Sequence, residues 1–281
     1  DKGLKTDHLN GKTIGLVFQK PSNRTRVSFE VGTYQLGGHC IYLGPDEINL
    51  GQRETTEDVA KTLSRYLDCI VARTFSHQDV IDLGKFADVP VINGLSDMYH
   101  PCQAFADILT MQEHFGHLDN LTLSFIGDGN NVCHSLMFIC SKLGIQIKIA
   151  TPKGYEPNAK VLKAARAYAK ESGSSITLTN SPSKAAKGAD VIYADVWTSM
   201  GQEEETQKRL EDFQDFQINS ALVKHAHEHF IFMHCLPAHR GEEVTADVID
   251  GEHSVVFDQA ENRMHAEKAI LIFLLCEQQN D

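Results

Sequence analysis

The sequence predicts an α/β protein of two domains, each a parallel sheet flanked by helices. Short apolar runs alternate with amphipathic stretches of ten or more residues nearly to the end of the chain, which is typical of parallel sheets. The pattern breaks between His114 and Asn120, which separates two such series. The length of 281 residues also suits two domains better than one core. We therefore predict domains over residues 1–117 and 118–260, followed by a terminal helical segment over 261–281.

The predicted strands and helices follow from the apolar runs and from the residues that end them. The first series has predicted strands at Thr13 to Phe18, Cys69 to Ala72 and Pro90 to Ile92, a helix from Ser22 to Leu36 that Gly37 and Gly38 end, and crossovers over 55–67 and 77–87. The second has strands at Leu121 to Ile126, Ile145 to Ala150, Ile176 to Leu178, Asp190 to Tyr193 and Phe230 to Met233, with helices at Val132 to Leu143 and Asn158 to Ser172. The polar run from Gln202 to Asp215 is expected to be a solvated loop and helix. The apolar run from Glu261 to Leu275 predicts a packed terminal helix.

Bulk composition argues against several classes of protein. A formal net charge of −12 disfavours general binding to nucleic acid or to anionic membranes, and no apolar run approaches the ~20 residues that span a bilayer. The seven cysteines are odd in number and scattered, which indicates reduced thiols. The sequence starts without a signal-like apolar stretch. We expect a cytoplasmic protein, with an organelle matrix as the alternative if a targeting segment has been removed.

Unusual polar residues follow the predicted strands, where ligands of open parallel sheets bind. The stretch from Pro21 to Arg26 opens the first helix, with Ser22 as a good N-cap. The free N–H groups and partial positive charge of a helix start suit a phosphate, and the Arg24 guanidinium can bind phosphate oxygens in pairs. Arg26 would point roughly the opposite way, so we assign it to buttressing. The alternative is a capped surface helix with two solvated arginines.

Two further stretches could hold polar groups of a ligand. His100 and Gln103 share one side of a helical turn and could hold a polarised carbonyl oxygen and an amide; an ordinary loop with a hydrogen-bonded histidine is the alternative. Asp195 ends a predicted strand and could anchor an ammonium group. Ser199 and Gly201 suggest a loop that closes, although a surface loop around the single tryptophan would give the same pattern.

The stretch Gly127-Asp128-Gly129-Asn130-Asn131-Val132 resembles a dinucleotide fingerprint but departs from it. Val132 stands where the third glycine should be, and the next strand ends without an acidic residue for a ribose hydroxyl. A nicotinamide cofactor is therefore not expected, and we predict no cofactor. A tight turn accounts for the glycines, whereas the asparagines could hold the ends of an amino acid.

Neither a cysteine nucleophile nor a metal site is strongly indicated. Cys235 would need a base and an oxyanion site, and His234 faces the opposite side of its strand. His225, His227 and His229 alternate as on a strand, but their surroundings look helical, where they would not converge on one ion. We predict solvated histidines and no metal.

Together these stretches resemble the aspartate/ornithine carbamoyltransferase family, and its ornithine branch closely. The resemblance runs from about Leu9 to about Leu275, and its motifs stand in the family's order: Ser-Asn-Arg-Thr-Arg (22–26), His-Pro-Cys-Gln (100–103), Gly-Asp-Gly-Asn-Asn (127–131), Asp-Val-Trp-Thr-Ser-Met-Gly (195–201) and His-Cys-Leu-Pro (234–237). It implies transfer of a carbamoyl group from carbamoyl phosphate to ornithine, in arginine metabolism. It also implies an active site in the cleft between the two domains, a last helix that returns to the first domain, and a homotrimer.

The resemblance assigns residues to each substrate. Carbamoyl phosphate would be bound by Ser22, Asn23, Arg24, Thr25, Arg73, His100, Gln103, Cys235, Leu236 and Arg263. Ornithine would be bound by Asn131, Asp195, Ser199 and Met200. Arg24, His100, Asp195 and Cys235 would act in catalysis, through charge neutralisation, oxyanion stabilisation and handling of the amine.

The sequence departs from the family pattern in two ways. Asn49 stands where a neighbouring subunit reaches the phosphate, and most members carry Gln or His there. Members also have a helix before the strand near Thr13, and because this sequence starts too late to contain it, we expect an exposed chain end. A sister transferase acting on putrescine, N-acetylornithine or aspartate, and a binding protein for phosphorylated metabolites, are the alternatives.

Overall fold

The chain forms two compact units in a computed structural model that describes residues 6–51, 53–199 and 203–276. The first unit comprises Asp1–Ala106 and Glu261–Asp281, and the second comprises Asp107–Ala260. Each contains one parallel sheet flanked by helices. The predicted α/β class is therefore confirmed.

The first unit has four parallel strands in the order β2-β1-β3-β4. The strands are β1 (Thr13–Phe18), β2 (His39–Leu43), β3 (Cys69–Arg73) and β4 (Val91–Leu95). The helices are α1 (Asn23–Gln35), α2 (Pro45–Ile48), α3 (Thr56–Leu63) and α4 (His77–Phe86), followed by α5 (Pro101–Phe115), which continues into the second unit. The last helix, α12 (Val256–Leu275), belongs to the first unit from Glu261 onward.

Residues of β1 pack on both faces of the sheet, which explains why this strand is a continuous apolar run. Leu16 and Phe18 point into one core with Phe29 of α1, whereas Val17 points into the other. Gly15 also faces the second side, where a Cβ atom would lie 2.3 Å from Leu67 Cδ1. The two faces therefore alternate residue by residue, as a strand requires.

Strand β2, helix α5 and the start of α12 are among the segments that were not predicted. Strand β2 lies at the sheet edge with one neighbour, and His39 and Ile41 on it are exposed, so its sequence lacks a buried apolar run. Helix α12 begins at Val256, five residues before the predicted start at Glu261. The errors at β2 and at the start of α12 come from half-exposed segments, where apolar periodicity is weak.

The second unit has five parallel strands in the order β7-β6-β5-β8-β9. The strands are β5 (Thr122–Ile126), β6 (Gln146–Ala150), β7 (Ile176–Thr179), β8 (Val191–Ala194) and β9 (Ile231–His234). The helices are α6 (Asn131–Leu143), α7 (Ala159–Ser172), α8 (Pro182–Ala186), α9 (Thr206–Phe213), α10 (Ser220–Val223) and α11 (Ala246–Ile249). All five strands were predicted, with ends that differ by at most one residue.

Helix α9 corrects the interpretation of the polar run from Gln202 to Asp215. The run does contain a helix, but that helix is not merely solvated: Phe213 is fully buried, and Arg209 is 6% exposed. Phe213 stacks on Trp197 with 5.8 Å between ring centroids. Two buried residues within a charged sequence are enough to dock a short helix, and they leave little trace in its average polarity.

Each sheet has a point where the strand order reverses direction. In the first unit this point lies between β1 and β3, and in the second between β5 and β8. Ligands of such sheets bind beyond the carboxyl ends of these strands. The structure therefore directs attention to the residues after Phe18, Arg73, Ile126 and Ala194.

No helix in residues 6–51, 53–199 and 203–276 is long and apolar enough to cross a membrane. The seven cysteines are free thiols.

Candidate active site

The start of α1 presents backbone donors beyond the end of β1. Ser22 has an extended backbone, and its Oγ accepts a hydrogen bond from the Thr25 N–H at 3.2 Å, which confirms the predicted N-cap. Asn23 is the first helical residue and is exposed, whereas the Thr25 side chain is buried. The first turn of α1 therefore has free N–H groups and partial positive charge at the switch point of the sheet.

Arg24 and Arg26 lie in different surroundings. The exposed Arg26 pairs with Glu30 at 2.9 Å and stacks on the Tyr42 ring at 3.9 Å from its centroid, so it braces α1 against β2. Arg24 is half-buried and close enough to Arg73 to lower the pKa of that side chain. The buttressing role of Arg26 is thus observed, and the ligand role of Arg24 stays a prediction.

Arg73 brings a buried guanidinium to the end of β3. Its partner in the neighbouring strand is Phe18, the last residue of β1, so the side chain emerges beside the start of α1. Burial, with the charges of Arg263 and Arg24, lowers the pKa of Arg73 to about 10, which still leaves it charged at neutral pH. Its Nε is buried and has no hydrogen-bond partner in the described part of the chain.

Arg263 of α12 connects the remaining residues of this group. Its Nη1 donates to Gln103 Oε1 at 2.8 Å and lies 3.5 Å from His100 Nε2. Its Nη2 donates to Thr25 Oγ1 at 3.4 Å and to the carboxylate of Glu267 at 2.8 Å. One guanidinium thus links α1, the start of α5 and α12.

The electrostatics of this group favour an anion beside a neutral imidazole. The charges of Arg24 and Arg263 act on Arg73, and the Arg73 and Arg263 side chains are almost fully buried. Burial and the same three charges hold the pKa of His100 well below its usual range, so His100 is neutral near pH 7. Clustered cations attract an anion, and a neutral imidazole can donate a hydrogen bond to a developing oxyanion without adding charge.

Asn49 has a local structural role at the end of α2. It is exposed, adopts a left-handed backbone with φ 40°, and caps the C-terminus of α2. Its side-chain amide donates to the Asp46 carbonyl at 3.1 Å. Its predicted reach toward a neighbouring subunit stays a prediction.

In the second unit, a second polar group forms around Asp195, at the end of β8. Asn130 Nδ2 donates to Asp195 Oδ2 at 2.6 Å, and the Cys235 thiol donates to Asp195 Oδ1 at 3.0 Å. The register explains these contacts, because Ala194 pairs with both Ile126 and His234. The residues that follow all three strands therefore converge, and the carboxylate of Asp195 is 6% exposed.

The other predicted residues of this unit come from the segments that follow β5, β8 and β9. Asn131 is the first residue of α6 and is half-buried, as is Ser199 in the segment after β8. Leu236 has φ 55°, and its N–H donates to His234 Nδ1 at 2.9 Å. His234 itself is buried, with Nε2 at 3.2 Å from the Glu243 carboxylate. Met200 and Gly201 lie outside the described residues.

Two residues that shape this group were not assigned to the site from the sequence. Asn130 is the N-cap of α6, accepting from Val132 and Cys133 N–H groups while its amide orients Asp195. Arg209 Nη1 donates to Asp128 Oδ2 at 2.8 Å and to the Trp197 carbonyl at 3.0 Å. Asn130 could have been found as an N-cap candidate before an apolar helix; Arg209, 81 residues from Asp128, left no local signal.

The glycines of the 127–131 turn serve packing within the protein. Gly127 has φ 148°, and a Cβ atom on Gly129 would lie 2.4 Å from Pro157 N. The close neighbour of Gly129 is thus the backbone of this chain at Pro157. Close packing of two backbone segments is enough to explain why a glycine stands at this position of the dinucleotide-like motif.

Among the described residues, one group with metal-ligating atoms within 4.8 Å of one another comprises His239, Glu242 and Glu243. The side chains of His239 and Glu242 are 51% and 43% exposed. His225, His227 and His229, considered from the sequence, are each exposed.

Two family models match the chain, one in each of its two parts. Residues 1–113 match the carbamoyl-P binding domain of aspartate/ornithine carbamoyltransferases, and residues 119–274 match the Asp/Orn binding domain. The chain is 58% identical over 267 residues to the ornithine carbamoyltransferase of Thermococcus kodakarensis, covering 95% of this chain and 85% of that protein. It is 56% identical, over an equal length, to the ornithine carbamoyltransferase of Bacillus subtilis, covering 95% of this chain and 84% of that protein.

Solved structures of ornithine carbamoyltransferases have the same fold as this chain. The ornithine carbamoyltransferase of Pyrococcus furiosus superposes with a TM-score of 0.95 at 56% identity, covering 97% of this chain and 87% of that one. That of Thermus thermophilus superposes with a TM-score of 0.87 at 46% identity, covering 96% and 88%. The chain belongs to the aspartate/ornithine carbamoyltransferase family.

Proposed function

We propose that this chain is an ornithine carbamoyltransferase, which converts carbamoyl phosphate and L-ornithine into L-citrulline and phosphate. The observation that carries the proposal is the convergence of Arg24, Arg73 and Arg263 around a neutral His100 in the first unit. Ornithine carbamoyltransferases at 54–58% identity support the choice of amine. One of them, from Pyrococcus furiosus, is called anabolic, which supports a role in arginine synthesis.

The first-unit group is proposed to bind carbamoyl phosphate. The first turn of α1, from Ser22 to Thr25, would donate N–H groups to the phosphate, and Arg24 and Arg73 would neutralise it as it leaves. Thr25, Arg263 and neutral His100 would donate to the carbonyl oxygen as it becomes an oxyanion. Gln103, fixed by Arg263 at 2.8 Å, would accept a hydrogen bond from the carbamoyl amide.

The second-unit group is proposed to bind ornithine and its reacting amine. The buried Asp195 carboxylate is oriented by Asn130 and Cys235 and would bind an ammonium group. Asn131 and Ser199 would bind the amino-acid end, together with Met200. The neutral side-chain amine attacks the carbamoyl carbon, the tetrahedral intermediate expels phosphate, and the amine proton passes to phosphate or to a basic group at the site. Cys235 and Leu236 are proposed to contact the carbamoyl group.

We also propose a cytoplasmic homotrimer. Val27, Val31 and Tyr34 are exposed at 49%, 39% and 69%, and their spacing places them on one face of α1. An apolar stripe of this kind is suited to contact with another copy of the chain. Light scattering coupled to gel filtration should give three times the mass of one chain; the mass of one chain would contradict the trimer.

The experiment that tests the function is an amine panel. Citrulline formation is measured with carbamoyl phosphate and ornithine, and putrescine, N-acetylornithine and aspartate are supplied in parallel as matched acceptors. We expect turnover with ornithine and at least 10²-fold lower kcat/KM with the others, because each lacks or alters a charged group that the site would pair. Preferred turnover of another amine would retain the family and refute ornithine as the substrate.

A further inference from the structure

A buried carboxylate lies directly behind the arginine group. Glu267 follows Arg263 by one helical turn on α12, and its Oε1 accepts from Arg263 Nη2 at 2.8 Å. The two side chains are 0% and 4% exposed. Through the same guanidinium, Glu267 is linked to Gln103 and Thr25, which are residues of the proposed carbamoyl phosphate site.

The groups that face Glu267 come from three helices. Arg263 is on its own helix α12, Ser28 is on α1, and Cys102 is on α5. Arg263 and Ser28 favour the ionised carboxylate, but burial outweighs them and raises the pKa of Glu267 from 4.5 to about 7. The Cys102 thiol cannot share this titration, because burial raises its pKa to about 12. Glu267 is thus a carboxyl group that changes charge near neutral pH.

We propose that Glu267 is a positioning residue and the proton-linked counter-ion of the anion site: it holds Arg263 before the ligand binds and takes up a proton when a phosphate dianion binds. The proposal rests on the proposed function of that site. Before binding, the carboxylate pairs with Arg263 at 2.8 Å and fixes its Nη2 edge. A neutral carboxyl group still accepts one hydrogen bond from Arg263, so the guanidinium keeps its position after protonation.

Phosphate binding is linked to proton uptake because the bound phosphate and the Glu267 carboxylate compete for the same cation, Arg263. A bound dianion places about two negative charges next to Arg24, Arg73 and Arg263, and one guanidinium then separates it from Glu267. Repulsion disfavours the ionised carboxylate and raises its pKa further. A rise of about one pKa unit corresponds to uptake of about 0.5 proton at about pH 7.5, and by reciprocity to an affinity for the phosphate dianion that weakens about tenfold from pH ~6 to pH ~9.

Calorimetry of inorganic phosphate binding measures this proton directly. Titrations at about pH 7.5 in two buffers of different protonation enthalpy give the number of protons taken up per phosphate bound. The same titrations on Glu267→Gln, which keeps the shape and the acceptor but cannot titrate, give the contribution of phosphate itself. We expect the wild-type protein to take up about 0.5 proton more than Glu267→Gln.

Two further variants control this difference. Glu57→Gln breaks an exposed ion pair with the same four-residue spacing on α3 and should match the wild-type protein. Glu267→Met has similar volume and no titration, and it should match Glu267→Gln, so the test does not depend on one folded variant. A purely structural role for Glu267 would move affinity or stability but not proton uptake.

The outcomes separate the two proposals. Equal proton uptake by wild-type protein and Glu267→Gln overturns the counter-ion role while leaving the anion site intact. If the folded wild-type protein binds neither phosphate nor carbamoyl phosphate, the proposed function fails, and the role of Glu267 fails with it.

Discussion

At the scale of single residues, the proposed site depends on which arginine faces the ligand. Arg24 and Arg26 are two positions apart, so α1 points them in different directions. Arg26 has Glu30 and Tyr42 as partners, whereas Arg24 adds its charge to that around Arg73 and His100. Helical geometry therefore separates Arg24, the proposed binding residue, from Arg26, which braces the helix.

A matched pair of variants tests this assignment. Arg24→Ala should lower kcat/KM by at least about 10²-fold, because one charge-stabilising group at the reacting centre is lost. Arg26→Ala should lower it less than about 10-fold, since it loses an exposed ion pair and a stacking contact. Steady-state kinetics with ornithine held in excess gives both values. Equal losses in the two variants would refute the division of roles.

Glu267 should also leave a signature in stability. Its folded-state pKa of about 7 lies above the ordinary 4.5, so the folded chain binds this proton more tightly than the unfolded chain. This contribution to stability is complete below about pH 4.5 and is lost as the pH rises through about 7.

The wild-type free energy of unfolding should therefore fall by up to about 3 kcal/mol more than that of Glu267→Gln between about pH 5 and pH 8. Urea unfolding at the two pH values, without phosphate in the buffer, measures the difference. Parallel pH profiles for the two proteins would show that Glu267 titrates normally.

At the scale of elements, strand ends bring distant residues together. Asp195, Asn130 and Cys235 come from three different parts of the sequence, and they meet because β5, β8 and β9 are neighbours in register. Sequence periodicity predicted these strands, and the rule that ligands bind at their carboxyl ends predicted where the polar residues would gather. It could not predict the pairing Asn130–Asp195, which depends on register at atomic detail.

The turn after β5 should be intolerant of a side chain. In Gly129→Ala the new Cβ would lie 2.4 Å from Pro157 N and 2.6 Å from the Glu156 carbonyl carbon, so a backbone must shift, at a cost of about 1–3 kcal/mol or more. Gly84→Ala, at a helical position with open space around it, should stabilise the protein by roughly 0.5–1 kcal/mol. Chemical denaturation measures both; an unchanged Gly129→Ala protein would contradict the packing described.

At the scale of the whole molecule, the sequence predicted the fold class and most elements for one physical reason. Strands buried on both faces are continuous apolar runs, and helices between them keep their amphipathic period. Where burial is partial, prediction failed: the edge strand β2 went unseen, and buried Arg209 and Phe213 were hidden in the polar segment of α9. The site residues were named through motifs, but the role of Glu267 emerges from its buried position behind Arg263.

The most direct test of the proposed activity is the fate of labelled carbamoyl phosphate. With carbon-labelled carbamoyl phosphate and ornithine, we predict one labelled citrulline for each phosphate released, and almost no phosphate release without ornithine. Such a stoichiometry requires that the carbamoyl carbon reaches the amine and not water. Phosphate release without citrulline, at equal rates with and without ornithine, would contradict transfer and indicate hydrolysis.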